Sequence, residues 1–500
     1  MKKLLSIVAL FAAMTMVACG SGQKVLKKEA DKQKAQTAQN NKAAECTECD
    51  ECSCCDEACV AYEYDKFNSV VYEMNIRQAT KEGTFAAAEK YLPELKSMGV
   101  DIVWLMPISP IGVDGRKGTL GSYYSIIDYK AINPEFGTMD DFKSFLDTAH
   151  NLGLKVIIDW VANHTSRDAN WWKEGKTDWY VMDEATGLPI VEYDWTDIAK
   201  LNYKNEDMRA AMLDALKFWI EMGVDGYRCD VAMNVPGDFW AEAWKQVRAI
   251  NPDVYLLAEG EETWLHEAGF EATYAWELHH IFNAMAKGGS ETKNVAGDGT
   301  IKTDAKYVKD LKEYMARDDE KYPAPAMRLM FTSNHDENSW AGTEFERMGD
   351  AHKTFAALTF VMPKGQPLIY TGQEIGLNRR LQFFEKDSVV ELVDLSYGKE
   401  YRDFYKSLCS FRHANKVLAA GANVAPVEYV EGAPESVLAF TREKDGNKVL
   451  CLFNFSAEPT SVTITEAAAG DYMCACGEAK SFKAGDVVEL SAWGFMLLAK

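Results

Sequence analysis

Four apolar, strand-like runs in this chain each end in a carboxylate: KVIIDWVANH, VDGYRCD, VYLLAEG and RLMFTSNHD. They place Asp159, Asp230, Glu259 and Asp336 in order, each just past a stretch that reads as a buried parallel strand. Few folds can use such a series. A (β/α)8 barrel gathers the C-terminal ends of its strands around one mouth, so acids far apart in sequence meet there. Buried acids are costly without a use. Two carboxyl groups facing one sugar, one ionised and one protonated, are what glycosidic bond cleavage requires. The pattern reads as a carbohydrate-active α/β barrel.

From Ser69 onward, short β-branched runs alternate with helical patterns, the signature of repeated βα units. Strands are predicted at 69–74, 100–107, 155–159, 224–230, 254–259, near 271–276, 327–333 and 366–372. Gly99 closes a helix after the first strand, and Thr138 or Asp140 caps another at 139–152. The connection from His164 to about Asn205 is too long for a plain βα loop. It carries Trp171, Trp172, Trp179, Tyr180, Tyr193 and Trp195. A short insert over 165–205, after the third strand, is expected to wall one side of a cleft. Its rings either stack on sugar faces or form the insert's own core. Past SYGKEYRDFYKSLCSFRHANKVL the pattern turns to short strands and turns. Residues 61–420 therefore read as a TIM barrel with its insert. Residues 421–500 read as a C-terminal all-β, sandwich-like domain expected to cover a barrel face.

The first residues read as targeting. Lys2 and Lys3 precede an apolar run, Leu4 to Val17, too short for a spanning helix, and Met16-Val17-Ala18-Cys19 resembles a bacterial lipobox. That implies a lipoprotein signal peptide over 1–19 and lipidation of Cys19. With Gly20 following, it implies a lipid-anchored place at the bacterial cell envelope, on the outer membrane. Residues 20–60 read as a disordered tether, poor in large apolar side chains up to its cysteine cluster. Cys46, Cys49, Cys52, Cys54, Cys55 and Cys59 lie within it. They read as a disulfide staple outside the cytoplasm, with a metal-binding knot as the alternative. The net charge of −22 argues against a nucleic-acid partner, which needs a basic face.

The four segments resemble the conserved regions of glycoside hydrolase family 13, the α-amylase family. The stretches at 121–138, 201–209 and 365–376 fit it too. The resemblance implies that Asp230 is the nucleophile, Glu259 the general acid/base and Asp336 the third acid. It also implies sugar binding by Tyr124, Asp159, His164, Arg228 and His335. Arg228 would keep Asp230 ionised while burial protonates Glu259, driving the two pKa values apart. Asn163 matches a Ca2+ ligand of many members, with Asp194 or Asp197 as its acidic companion. The segment after the nucleophile, Asp230-Val-Ala-Met-Asn234, lacks the usual Lys-His, and IAKLN at 198–202 looks neopullulanase-like.

The expectation is a retaining hydrolase of α-1,4-glucosidic bonds in starch-like α-glucans or maltooligosaccharides. A neopullulanase, cyclomaltodextrinase or α-glucanotransferase is the alternative on the same fold. A non-catalytic glucan-binding barrel is a more remote one.

Overall fold

In the computed structural model the described residues are 64–289, 292–293, 300–301 and 305–500. The leader, the tether, Cys19 and the clustered cysteines lie outside them. Residues Glu63–Lys500 form one compact unit.

Eight parallel strands close into a barrel in chain order: β1 (Val71–Met74), β2 (Ile102–Leu105), β3 (Lys155–Trp160), β4 (Gly226–Cys229), β5 (Tyr255–Ala258), β6 (Ala272–Tyr274), β7 (Met327–Met330) and β8 (Gly365–Tyr370). β8 returns to pair with β1. All eight expected strands are present. Side chains alternate along each strand. One row, including Val71, Trp104, Ile157, Leu257, Tyr274 and Leu329, fills the barrel interior. The other row, including Tyr72, Val103, Ile158 and Cys229, packs outward in the second large core. Gly226 begins β4 because a Cβ there would sit 1.9 Å from the Tyr255 carbonyl oxygen.

The helix Leu92–Met98 stops at Gly99, left-handed with φ 99°. Thr138, rather than Asp140, caps Met139–Asn151, in a capping box with Asp141. The insert is pinned at its base by a two-stranded antiparallel ladder, His164–Ser166 against Ile198–Lys200.

The C-terminal region holds a six-stranded antiparallel sheet facing the pair Thr460–Thr463 and Val487–Leu490. Val437, Leu450, Val462, Tyr472 and Leu490 fill the space between them. It packs on the helical layer, not on the mouth. Phe455 stacks on Phe355 of helix His352–Thr359 at 5.0 Å. Phe495 meets Phe404 of helix Lys399–Ala414 edge-on, and Arg442 donates to the Val361 carbonyl at 2.9 Å. On that last helix the buried Arg412 donates to Asn68 O at 3.1 Å, Phe360 O at 2.9 Å and Gly365 O at 2.7 Å.

Candidate active site

The strand ends bring Asp159, Asp230, Glu259 and Asp336 together, as the four segments lead one to expect. Arg228 joins three of them. Its side chain has no exposed surface, and Nη1 lies 2.9 Å from Asp159 Oδ1 and 3.1 Å from Asp230 Oδ1. Nη2 lies 2.8 Å from Glu259 Oε2, without the alignment of a hydrogen bond, so that contact is ionic rather than directed. Glu259 Oε2 takes its directed bond from the Val231 amide at 2.8 Å. Val231 holds φ 35°, a left-handed conformation costly for a β-branched residue. Strain is thus stored one residue past Asp230, in the peptide that fixes Glu259.

Arg228 is shared among Asp159, Asp230 and Glu259 rather than paired with Asp230 alone. Burial, then the charge of Glu259, raises Asp230 well above the ordinary carboxylate range, with Arg228 opposing. Burial likewise raises Asp159 against Arg228. Asp336 is pushed up to about 6, by desolvation first, with His335 opposing and Glu259 adding. Its side chain keeps 27% of its surface, so solvent tempers that rise. Burial therefore opposes the loss of protons from this cluster, and the charge of Arg228 favours it.

Tyr124 and the two histidines take the places expected. Tyr124 donates to Asp159 Oδ2 at 2.9 Å and lies 2.8 Å from His335 Nε2, its ring stacked on the imidazole. His164 lines the same cavity, and burial lowers it to about 4, so it is neutral. Glu73 was not legible from the sequence. It sits on β1, fully buried, with Oε1 2.5 Å from His335 Nδ1. The only sequence signal was an acid at an inward position of an apolar strand.

These groups open into a cavity of about 490 Å³. Of the six insert aromatics only Trp195 lines it. Trp171 and Trp179 pack on each other at 5.0 Å and Trp172 on Tyr180 at 5.4 Å, making the insert's own core. The aromatic wall comes instead from Trp340, Phe383 and Phe384, in loops after β7 and β8. Phe383 stacks on Tyr124 at 6.2 Å and meets Trp340 at 5.3 Å, extending the Tyr124 platform outward.

The surroundings of Asn163 do not fit a calcium ion as they stand. Its amide nitrogen donates to Glu192 Oε2, and the Lys200 ammonium pairs with the other oxygen of that carboxylate. Asp197 faces Lys117 at 3.7 Å, and the Asp194 carbonyl accepts from the same lysine. Ca2+ takes six to eight oxygens. Among the described residues no three His, Cys, Asp or Glu side chains converge to hold a metal.

A closed parallel barrel whose C-terminal mouth gathers acids, histidines and aromatic rings defines a (β/α)8 protein with its working site at that mouth. The model of the alpha amylase catalytic domain matches residues 65–189 and 175–403, and that of the maltogenic amylase C-terminal domain matches 427–497. The chain belongs to the alpha-amylase family of glycoside hydrolases. A crystal structure of an alpha-amylase from Lactobacillus plantarum superposes with TM-score 0.74 at 30% identity, covering 87% of this chain and 99% of that one. Alpha-amylase MalA of Haloarcula japonica is 29% identical over 82% of this chain, and a cyclomaltodextrinase of a Bacillus species 26% over 73%. The chain spans 60% and 64% of the lengths of those two relatives.

Proposed function

We propose that the protein hydrolyses α-1,4-glucosidic bonds of starch-like α-glucans or maltooligosaccharides with retention of anomeric configuration. Asp230 attacks the anomeric carbon and forms a covalent glycosyl-enzyme. Glu259 first gives a proton to the leaving oxygen and then takes one from water. The Val231 amide and Arg228 hold Glu259 Oε2, which leaves Oε1 to exchange the proton. Asp336, His164 and His335 bind the hydroxyls of the distorted sugar. Tyr124 carries its apolar face, and Asp159 anchors Arg228 and Tyr124 from below. The observation that carries this reading is that Asp230, Glu259 and Asp336 line one cavity with Tyr124, His164 and His335.

A second reading, a cyclomaltodextrinase, neopullulanase-like or glucan-transferring enzyme, is favoured by the maltogenic-type C-terminal match and the cyclomaltodextrinase relative. Water and a sugar hydroxyl compete for the same glycosyl-enzyme. Incubation with amylose, pullulan and a cyclodextrin, followed by anomer-resolved NMR, separates the two. Rapid release of α-anomers from amylose supports the first reading, and preference for pullulan or cyclodextrin the second. Initial β-anomers would remove the retaining mechanism.

The lipobox-like Met16–Cys19 supports an outer-membrane lipid anchor in the cell envelope. Moving the protein from membrane to soluble fraction by Cys19→Ala tests it.

A further inference from the structure

The network around His335 has a definite direction. Trp104 Nε1 and Arg228 Nη1 each lie 3.2 Å from Asp159 Oδ2, and both groups can only donate. Asp159 therefore accepts, and the single hydrogen of the Tyr124 hydroxyl goes to it. The Tyr124 oxygen is then left to accept, so His335 Nε2 must carry a hydrogen. Asp336 Oδ2 lies 3.4 Å from the same nitrogen, an ionic rather than a directed contact.

With Nε2 protonated, the contact between His335 Nδ1 and Glu73 Oε1 also needs a hydrogen. Either the imidazole is charged beside an ionised Glu73, or a neutral Glu73 donates to a neutral ring. A third observation selects the second case. Glu73 Oε2 is buried with no hydrogen-bond partner, a severe cost for half of an ionised carboxylate and a much smaller one for a neutral acid. Burial acts the same way on both groups, raising Glu73 and lowering His335.

We propose that Glu73 is a positioning residue. As a neutral acid it donates to His335 Nδ1 and so locks the imidazole in the tautomer that carries hydrogen on Nε2, toward Tyr124 and the cavity. This rests on the function proposed above. Every element around the pair contributes a titratable or charged group: Tyr124 from the loop after β2, Asp159 of β3, Arg228 of β4, Glu259 after β5, Tyr274 of β6, Asp336 after β7 and Tyr370 of β8. Burial, and then Glu259, oppose ionisation of Glu73, whereas Arg228 and a bond from the His335 backbone N–H favour it. When Glu73 loses its proton at high pH, the favoured neutral ring carries hydrogen on Nδ1, facing the carboxylate. Nε2 then faces Tyr124 and Asp336 bare.

The test uses the full chain in three forms: wild type, Glu73→Gln and Glu73→Met. A glutamine amide can still donate to Nδ1 but has no proton to lose; methionine cannot donate. Glu73→Met should lower kcat on maltooligosaccharides roughly 10- to 100-fold with little change in KM, by analogy with the loss of outer partners of metal-bound histidines. Glu73→Gln should recover most of kcat and move the alkaline limb of the pH–rate profile upward. In 15N-histidine NMR at neutral pH, the signal lost in His335→Gln should show hydrogen on Nε2 alone. Equal loss of kcat in both Glu73 variants at wild-type melting temperature would overturn the proposal, as would hydrogen on Nδ1. If Glu73→Met does not fold, the glutamine variant and the NMR signal decide. A wild type inactive on every α-glucan would instead defeat the functional reading, while the NMR signal still reports on the tautomer.

Discussion

His279 Nε2 lies 2.7 Å from Glu337 Oε2, with both side chains shut off from solvent, one residue beyond Asp336. Arg347 approaches the same carboxylate at 3.7 Å. Glu337 opens the π-helical turn Glu337–Ala341, which presents Asp336 at one end and Trp340 near the other. The pair is thus the footing of a turn that supplies both an acid and a ring to the cavity.

Burial alone would raise Glu337, but His279 and then Arg347 outweigh it and hold the acid at about 2 rather than 4.5. A depressed pKa contributes stability that is complete above 4.5 and is lost as pH falls through 2. Melting curves of wild type should therefore fall more steeply across that window than those of Glu337→Gln. At neutral pH the variant should be less stable by about 3 kcal/mol, the cost of breaking a buried pair. Parallel pH dependences would show that the pair contributes no linkage.

Asp230→Asn should lower turnover by at least about 10⁴-fold while leaving glucan binding in place, since the nucleophile is removed and its shape kept. Binding by calorimetry beside turnover by NMR checks it. A variant with full activity would remove Asp230 from the nucleophile's role.

Trp340→Ala should raise KM for maltooligosaccharides roughly 3- to 10-fold, matching the about 0.5–1.5 kcal/mol of an aromatic contact. Trp171→Ala should instead lower the melting temperature and leave KM alone, because its ring is packed on Trp179 and Tyr129. The reverse pattern would return sugar binding to the insert core.

Chelation of calcium should leave melting temperature and activity unchanged, whereas Lys200→Met should lower the melting temperature by leaving Glu192 without its cation. A drop in melting temperature on chelation, restored by added calcium, would bring the ion back.

Asp159, Asp230, Glu259 and Asp336 were legible because a strand-end position is a local fact: each follows an apolar run that announces its own end. The barrel was legible for the same reason, as each βα unit repeats its signal. Glu73 was not, because an acid within β1 has meaning only once β7 delivers His335 opposite it. Trp340 sits on a single helical turn and Phe383 and Phe384 on an irregular loop, neither long enough to show a period. The sequence leaves the insert tryptophans open between sugar contact and core, because ring count says nothing about direction. Three of them turn toward one another and toward Tyr180 and Tyr129, leaving Trp195 alone at the cavity. The share of Arg228 among three acids was equally a matter of tertiary distance.

Arg412 has a consequence for how this molecule comes into being. Its guanidinium joins carbonyls at Asn68, Phe360 and Gly365, so the seam between the first and eighth strands is clasped by a residue some 340 positions downstream of the first strand. A nascent chain released short of that helix has its strands but no latch. That clasp forms only after synthesis has passed Arg412, close to the start of the terminal sheet.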